Sequence, residues 1–160
     1  MPPTELEERV HGTAVAAGGG AALIRGPSGS GKSDLALRVL HLDLQRLTPG
    51  AGQTHLVADD QVILTRDGNG LWATPPQPLA GLLEVRGLGI LKFPHIAPAR
   101  LVLIAELANG RAIDRLPDPW PHDRLLGLDL PVLRIDPFEA SAAHKLVLAL
   151  TRQPWRIEEP

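Results

Sequence analysis

The hydrophobic pattern changes period several times along the chain. Residues 10–25 alternate small and apolar positions around Gly18-Gly19-Gly20, which predicts two short strands joined by a glycine turn. The second of these, Ala21–Arg25, runs straight into a glycine-rich loop. Residues 32–47 then place Leu35, Leu37, Val39, Leu40, Leu44 and Leu47 among polar positions, a helical spacing that Thr48-Pro49-Gly50-Ala51-Gly52 stops. Strand-like runs follow at Leu56–Leu64, Gly70–Ala73, Leu82–Leu91, Leu101–Leu107 and Leu130–Ile135. Asp67-Gly68-Asn69-Gly70 reads as a hairpin turn between the first two. The pattern closes with a helix over Ala140–Arg152. Strands outnumber helices, so the expected fold is α/β with a mixed, strand-rich sheet rather than a strictly alternating parallel one.

The loop between the second strand and the first helix is Gly26-Pro27-Ser28-Gly29-Ser30-Gly31-Lys32-Ser33, a complete P-loop. Its glycines let backbone N–H groups converge on an anionic phosphate at a helix N-terminus. Lys32 can reach the β- and γ-phosphates, and the Ser33 hydroxyl can ligate Mg²⁺. A flexible Gly/Ser linker is the alternative, and the strand before and helix after the loop argue against it.

Leu56-Val57-Ala58-Asp59-Asp60 is an apolar strand ending in two carboxylates. Adjacent strand residues point to opposite faces, so one aspartate is expected to act as general base and the other to join the Mg²⁺ shell. Glu84 falls inside an apolar run, where an unpaired charge is costly to bury; its cation is either Arg86 or the metal. His11 alone reads as a structural histidine and Arg115 as a surface arginine. His95 and His122, in proline-rich loops, read as surface residues, and no HExxH spacing exists.

Composition narrows the function. Of 160 residues, 44% are hydrophobic and 21% charged, which suits one globular domain. Net charge is −2 with scattered Lys and Arg, and aromatic content is 3%, so nucleic acid is not an expected partner. No cysteine is present, which removes disulfides and thiolate metal sites and fits a reducing, cytoplasmic setting. The acidic N-terminal stretch has no signal-peptide pattern, and no apolar run is long enough to span a bilayer.

In this order, His11-Gly12, Leu23–Ser33, LVADD at 56–60, LLEVRGLGI at 82–90 and Ile113-Asp114-Arg115-Leu116 resemble the catalytic domain of the HPr kinase/phosphorylase family. The match runs from about residue 10 to 150. The resemblance implies a P-loop kinase core of the PEP-carboxykinase-like type, and a single catalytic domain over residues 1–160 without the long form's N-terminal regulatory domain. It implies an ATP- and Mg²⁺-dependent protein-serine kinase acting on an HPr-like phosphocarrier protein of the phosphotransferase system. It also implies assembly as a homo-oligomer, a hexamer in the family.

By position, Asp59 resembles the residue that takes the serine proton in phosphorylation and returns one in phosphorolysis. His11, Lys32 and Arg115 resemble the other active-site residues, and Ser33 and Glu84 the Mg²⁺ ligands. Asp60 is read into the same Mg²⁺ shell. Three features depart from the family. The long form's N-terminal layer is expected to be absent, the connection from His41 to His55 is longer than usual, and Leu130–Ala140 lacks the basic, glycine-containing pattern associated with phosphorolysis. Phosphorylation is therefore the expected direction. No aromatic or polar signature for a nucleobase stands out, so pyrophosphate stays open as a donor. A small-metabolite P-loop kinase and a non-catalytic ATP-binding regulator are the competing readings.

Overall fold

A computed structural model describes residues 6–156; the ends of the 1–160 span, residues 1–5 and 157–160, lie outside the described residues. Eleven strands and three α-helices are described in the order β1(Leu6–His11), β2(Thr13–Ala17), β3(Gly20–Arg25), α1(Lys32–Leu40), α2(Leu44–Leu47), β4(His55–Ala58), β5(Gln61–Asp67), β6(Gly70–Thr74), β7(Leu82–Val85), β8(Gly89–Lys92), β9(Ala99–Leu107), β10(His122–Leu125), β11(Leu128–Ile135) and α3(Ala142–Arg152). Nine strands form one mixed sheet along the path β1-β5-β6-β9-β3-β2-β4, with β11 joining on β9 and β10 on β11. Strands β3, β9 and β11 run parallel, and the other pairings are antiparallel. Strands β7 and β8 form a separate two-stranded hairpin. This is the mixed, strand-rich α/β sheet expected from the pattern.

Period-two alternation divides the core between the two sheet faces. Val15, Ala22, Ile24, Leu103 and Ala105 face α1 and α3, where they meet Leu35, Val39, Leu146 and Leu150. Ala14, Leu23 and Ile104 point the other way and pack with Val57, Val62, Leu64 and Leu71. Both faces of β2, of β3 up to Ile24 and of the Leu103–Ala105 stretch of β9 are thus buried, which explains the small and apolar composition there.

The structure revises four expected boundaries. The helix expected over 32–47 ends at Leu40, because Asp43 accepts from Gln45 N at 3.2 Å and starts α2 as a new turn. The run Leu56–Leu64 is two strands, β4 and β5. Asp59 and Asp60 form the turn between them, with Asp60 in the left-handed region at φ 65°. Leu82–Leu91 is the β7–β8 hairpin; Leu88 N donates to Val85 O at 2.9 Å, and Gly87 and Gly89 supply the positive φ angles. His11 does not share a strand with residues 13–17. It ends β1, a polar edge strand that the hydrophobic pattern does not reveal.

Candidate functional site

The site lies where β3 hands the chain to α1. Ala22, Leu23 and Ile24 are fully buried between β2 and β9, so the strand end holds a fixed position. Gly29 and Gly31 then take φ angles of 77° and 101°, conformations that side chains disfavour. Gly26 is needed for a different reason: a Cβ there would lie 2.6 Å from Ser30 Oγ, which is tucked beneath the loop. The first-turn N–H groups of α1 have no intrahelical acceptors and are available to an anion. Lys32 is 7% exposed, and its Nζ donates to Gly26 O at 2.8 Å and Pro27 O at 2.9 Å. The ammonium is therefore held over the loop itself.

Asp59 is tied to this loop. Its Oδ1 accepts from Ser33 Oγ and from Thr13 Oγ1, each at 2.8 Å, while Oδ2 accepts from Glu84 N at 3.2 Å. One carboxylate, 8% exposed, thereby joins four separated parts of the chain: β2, α1, the β4–β5 turn and β7. A buried carboxylate needs such donors, and these also fix its orientation.

Asp60 differs from its neighbour. It is exposed, and its Oδ1 lies 3.3 Å from His11 Nδ1. Gly12 makes this approach possible, because Gly12 N donates to Asp60 O at 3.1 Å and a Cβ at Gly12 would meet Ile24 O at 2.9 Å. The two aspartates do diverge as expected, but through the turn at Asp60 and not through strand alternation.

A cavity of about 550 Å³ opens over these groups. His11, Ser28, Gly29, Gly31, Lys32, Ser33, Asp59, Asp60 and Glu84 all line it, although they come from distant parts of the sequence. Glu84 is exposed in the cavity wall, so the expected burial penalty does not arise. Arg86 lies in the hairpin turn, and no Glu84–Arg86 ion pair exists among the described residues. Arg115 is exposed and is not among the residues lining the cavity. Sequence reasoning missed Thr13, a lone hydroxyl on a fully buried strand. It also missed Arg38, Pro137 and Phe138, which line the same cavity.

Mg²⁺ favours hard oxygen donors, and the Ser33 hydroxyl with the Glu84 and Asp60 carboxylates offers such a set. Among the described residues no three His, Asp or Glu side chains form a ready cage. That is the usual situation for Mg²⁺, which is held by one or two carboxylates, waters and substrate phosphates.

Behind the loop, Arg25 bridges two carboxylates, with Nη2 to Glu106 at 2.7 Å and Nη1 to Asp123 at 2.9 Å. Burial works against the Arg25 cation, but the bonds to Glu106 and Asp123 outweigh it and raise its pKa. The Arg25 bond, helped by Arg124 N, holds the Asp123 carboxyl below its ordinary value. The residue immediately before the P-loop is thereby fastened to β9 and β10.

The HPr kinase/phosphorylase of Streptococcus thermophilus is 32% identical over 169 aligned residues, covering 98% of this chain and 51% of that protein. The Streptococcus equinus protein of the same name is 29% identical, with coverage of 96% and 50%. The chain thus spans about half the length of these relatives. The solved HPr(Ser) kinase/phosphatase of Coxiella burnetii shares the fold, with a TM-score of 0.71 and 21% identity over 91% of this chain and 95% of that one. Residues 4–153 match the model of the HPr serine kinase C-terminal domain, and the chain belongs to that family.

Proposed function

We propose that this chain is an ATP-dependent protein-serine kinase that phosphorylates an HPr-like phosphocarrier protein. The observation that carries the reading is the Thr13–Asp59–Ser33 linkage, which fixes a carboxylate beside the P-loop hydroxyl. Lys32 and the α1 N-terminus bind and orient the phosphates. Ser33, Glu84 and Asp60 would hold Mg²⁺, which when bound neutralises phosphate charge. Asp59 accepts the proton from the incoming serine hydroxyl as that oxygen bonds the γ-phosphorus and ADP leaves. In the phosphorolytic direction the same carboxyl would return a proton to the departing serine.

His11, beside Asp60, is proposed to line the path of the transferred group. Arg115 enters the proposal through family membership alone, as an arginine that joins the site when the acceptor docks. Exposed Leu88 and Ile90 on the hairpin support assembly with further protein, either copies of this chain or the acceptor. Sedimentation across a concentration series tests the homo-oligomer.

The decisive experiment is incubation with [γ-³²P]ATP, Mg²⁺ and phosphocarrier protein, followed by mapping of the labelled residue. Label on serine is expected. It should fall by about 10²–10⁴-fold in Asp59→Asn, the usual worth of a general base, while ATP binding is retained. Label on histidine, or transfer that survives Asp59→Asn, would overturn the reading.

A further inference from the structure

The catalytic groups occupy one part of the cavity and leave another wall without a task. That wall is the Asp136–Glu139 turn between β11 and α3. Phe138 lines the cavity there with 86% of its surface exposed, and among the described residues it is the only Phe, Trp or Tyr that does. The turn beneath it is firmly held. Asp136 Oδ1 accepts from Phe138 N at 2.9 Å, and Asp136 Oδ2 accepts from Gly110 N at 3.0 Å. Glu139 N donates to Asp136 O at 3.2 Å, and Arg38 donates from α1 to the carbonyls of Pro137 and Glu139. A rigid support thus carries an aromatic ring that packs against little of the protein.

The ring's placement relative to the P-loop suggests its ligand. A Cβ at Gly31, the residue capping α1, would lie 3.5 Å from Pro137 Cβ. The residue next to Phe138 therefore abuts the phosphate-binding end of the helix. A nucleotide bound by its phosphates must direct its nucleoside along one wall of this cavity, and Phe138 supplies the flat apolar face that a base prefers. We propose that Phe138, seated on Pro137 and the Arg38-held turn, is the stacking platform for the nucleobase of the phosphate donor. The proposal rests on the P-loop reading and deepens it: it assigns a nucleoside triphosphate, rather than pyrophosphate, as the donor. Because any base offers a π-face, the platform favours nucleotides over bare phosphates without choosing strongly between adenine and guanine.

Calorimetric titration with ATP, GTP and inorganic tripolyphosphate, each with Mg²⁺, tests this. Phe138→Ala is expected to weaken ATP and GTP binding together by about tenfold or more, to leave tripolyphosphate affinity unchanged, and to recover in Phe138→Trp. Unchanged ATP affinity in Phe138→Ala, with tripolyphosphate still bound, would overturn the platform alone. So would an equal loss for all three ligands, or a loss confined to the KM for the phosphocarrier, which would give Phe138 to the protein acceptor. Failure of the wild-type chain to bind tripolyphosphate would overturn the P-loop reading, and the platform with it.

Discussion

Asp59 and Glu84 face the same cavity from two differently built supports. Asp59 follows β4 in the nine-stranded sheet; Leu56 and Val57 before it are fully buried, and both its oxygens are hydrogen-bonded. Glu84 stands on β7 of a two-stranded hairpin in which Leu83 alone is fully buried and every residue of β8 is exposed. An isolated two-stranded unit has little stability of its own. The hairpin is held in place by Leu83 in the helix-side core and by the Glu84 N–H on Asp59. The sheet therefore fixes the Asp59 carboxylate, and the hairpin carries a more exposed wall of the cavity.

This contrast can be broken at several points. Leu103→Ala, in the central strand β9 with neighbours on both sides, should remove stability near the top of the about 2–5 kcal/mol range for such truncations. Urea unfolding should show it as a global loss. Leu83→Ala should fall near the bottom of the same range, about 2 kcal/mol, because the hairpin can settle into the gap. Its signature is local: amide exchange should quicken over residues 82–92 while the sheet stays protected. A uniform increase in exchange would show that the hairpin is integral to the core.

Thr13→Val tests the support of Asp59 directly. It leaves a buried carboxylate one donor short, a loss of about 1–3 kcal/mol, and transfer should fall while ATP affinity holds. The Arg25 clamp should respond to acid. The Asp123 pKa is lowered in the fold, so its stabilisation is full above the ordinary value of 3.8 and fades as pH drops through the lowered folded value. Asp123→Asn should therefore flatten the acid limb of stability in a pH series. The smallest effect on the unassembled chain belongs to Ile90→Ser on the exposed hairpin face, which should alter its unfolding free energy by no more than about 0.5 kcal/mol.

The parts of this picture legible in the sequence were those encoded locally. The P-loop, its flanking strand, the start of its helix, the Gly18-Gly19 turn and α3 all follow from neighbouring residues and appear close to where the pattern put them. What escaped depended on partners far away in the chain. Strand β1, Leu-Glu-Glu-Arg-Val-His, has no alternation to betray it and exists through its pairing with β5. The turn at Asp59-Asp60 hides in an apolar run, and only the pairing of β4 with β2 and of β5 with β1 exposes the break. Thr13 and Phe138 carried no spacing signal, because their neighbours in the site lie 46 residues from Thr13 at Asp59 and 100 from Phe138 at Arg38.

Strand β9 sets an order of events for the whole molecule. Its first residues pair with β6, its middle with β3 and its last with β11, so the strand that ends in the P-loop gains its parallel neighbour only when residues 101–106 arrive. Closing a loop of that length is entropically uphill until the sheet rewards it, and folds dominated by distant pairings assemble slowly, on the order of milliseconds to seconds. During synthesis at about 5–20 residues per second, β3 therefore waits several seconds for β9. The phosphate loop thus leaves the ribosome well before the strand that locks its supporting strand β3 in place.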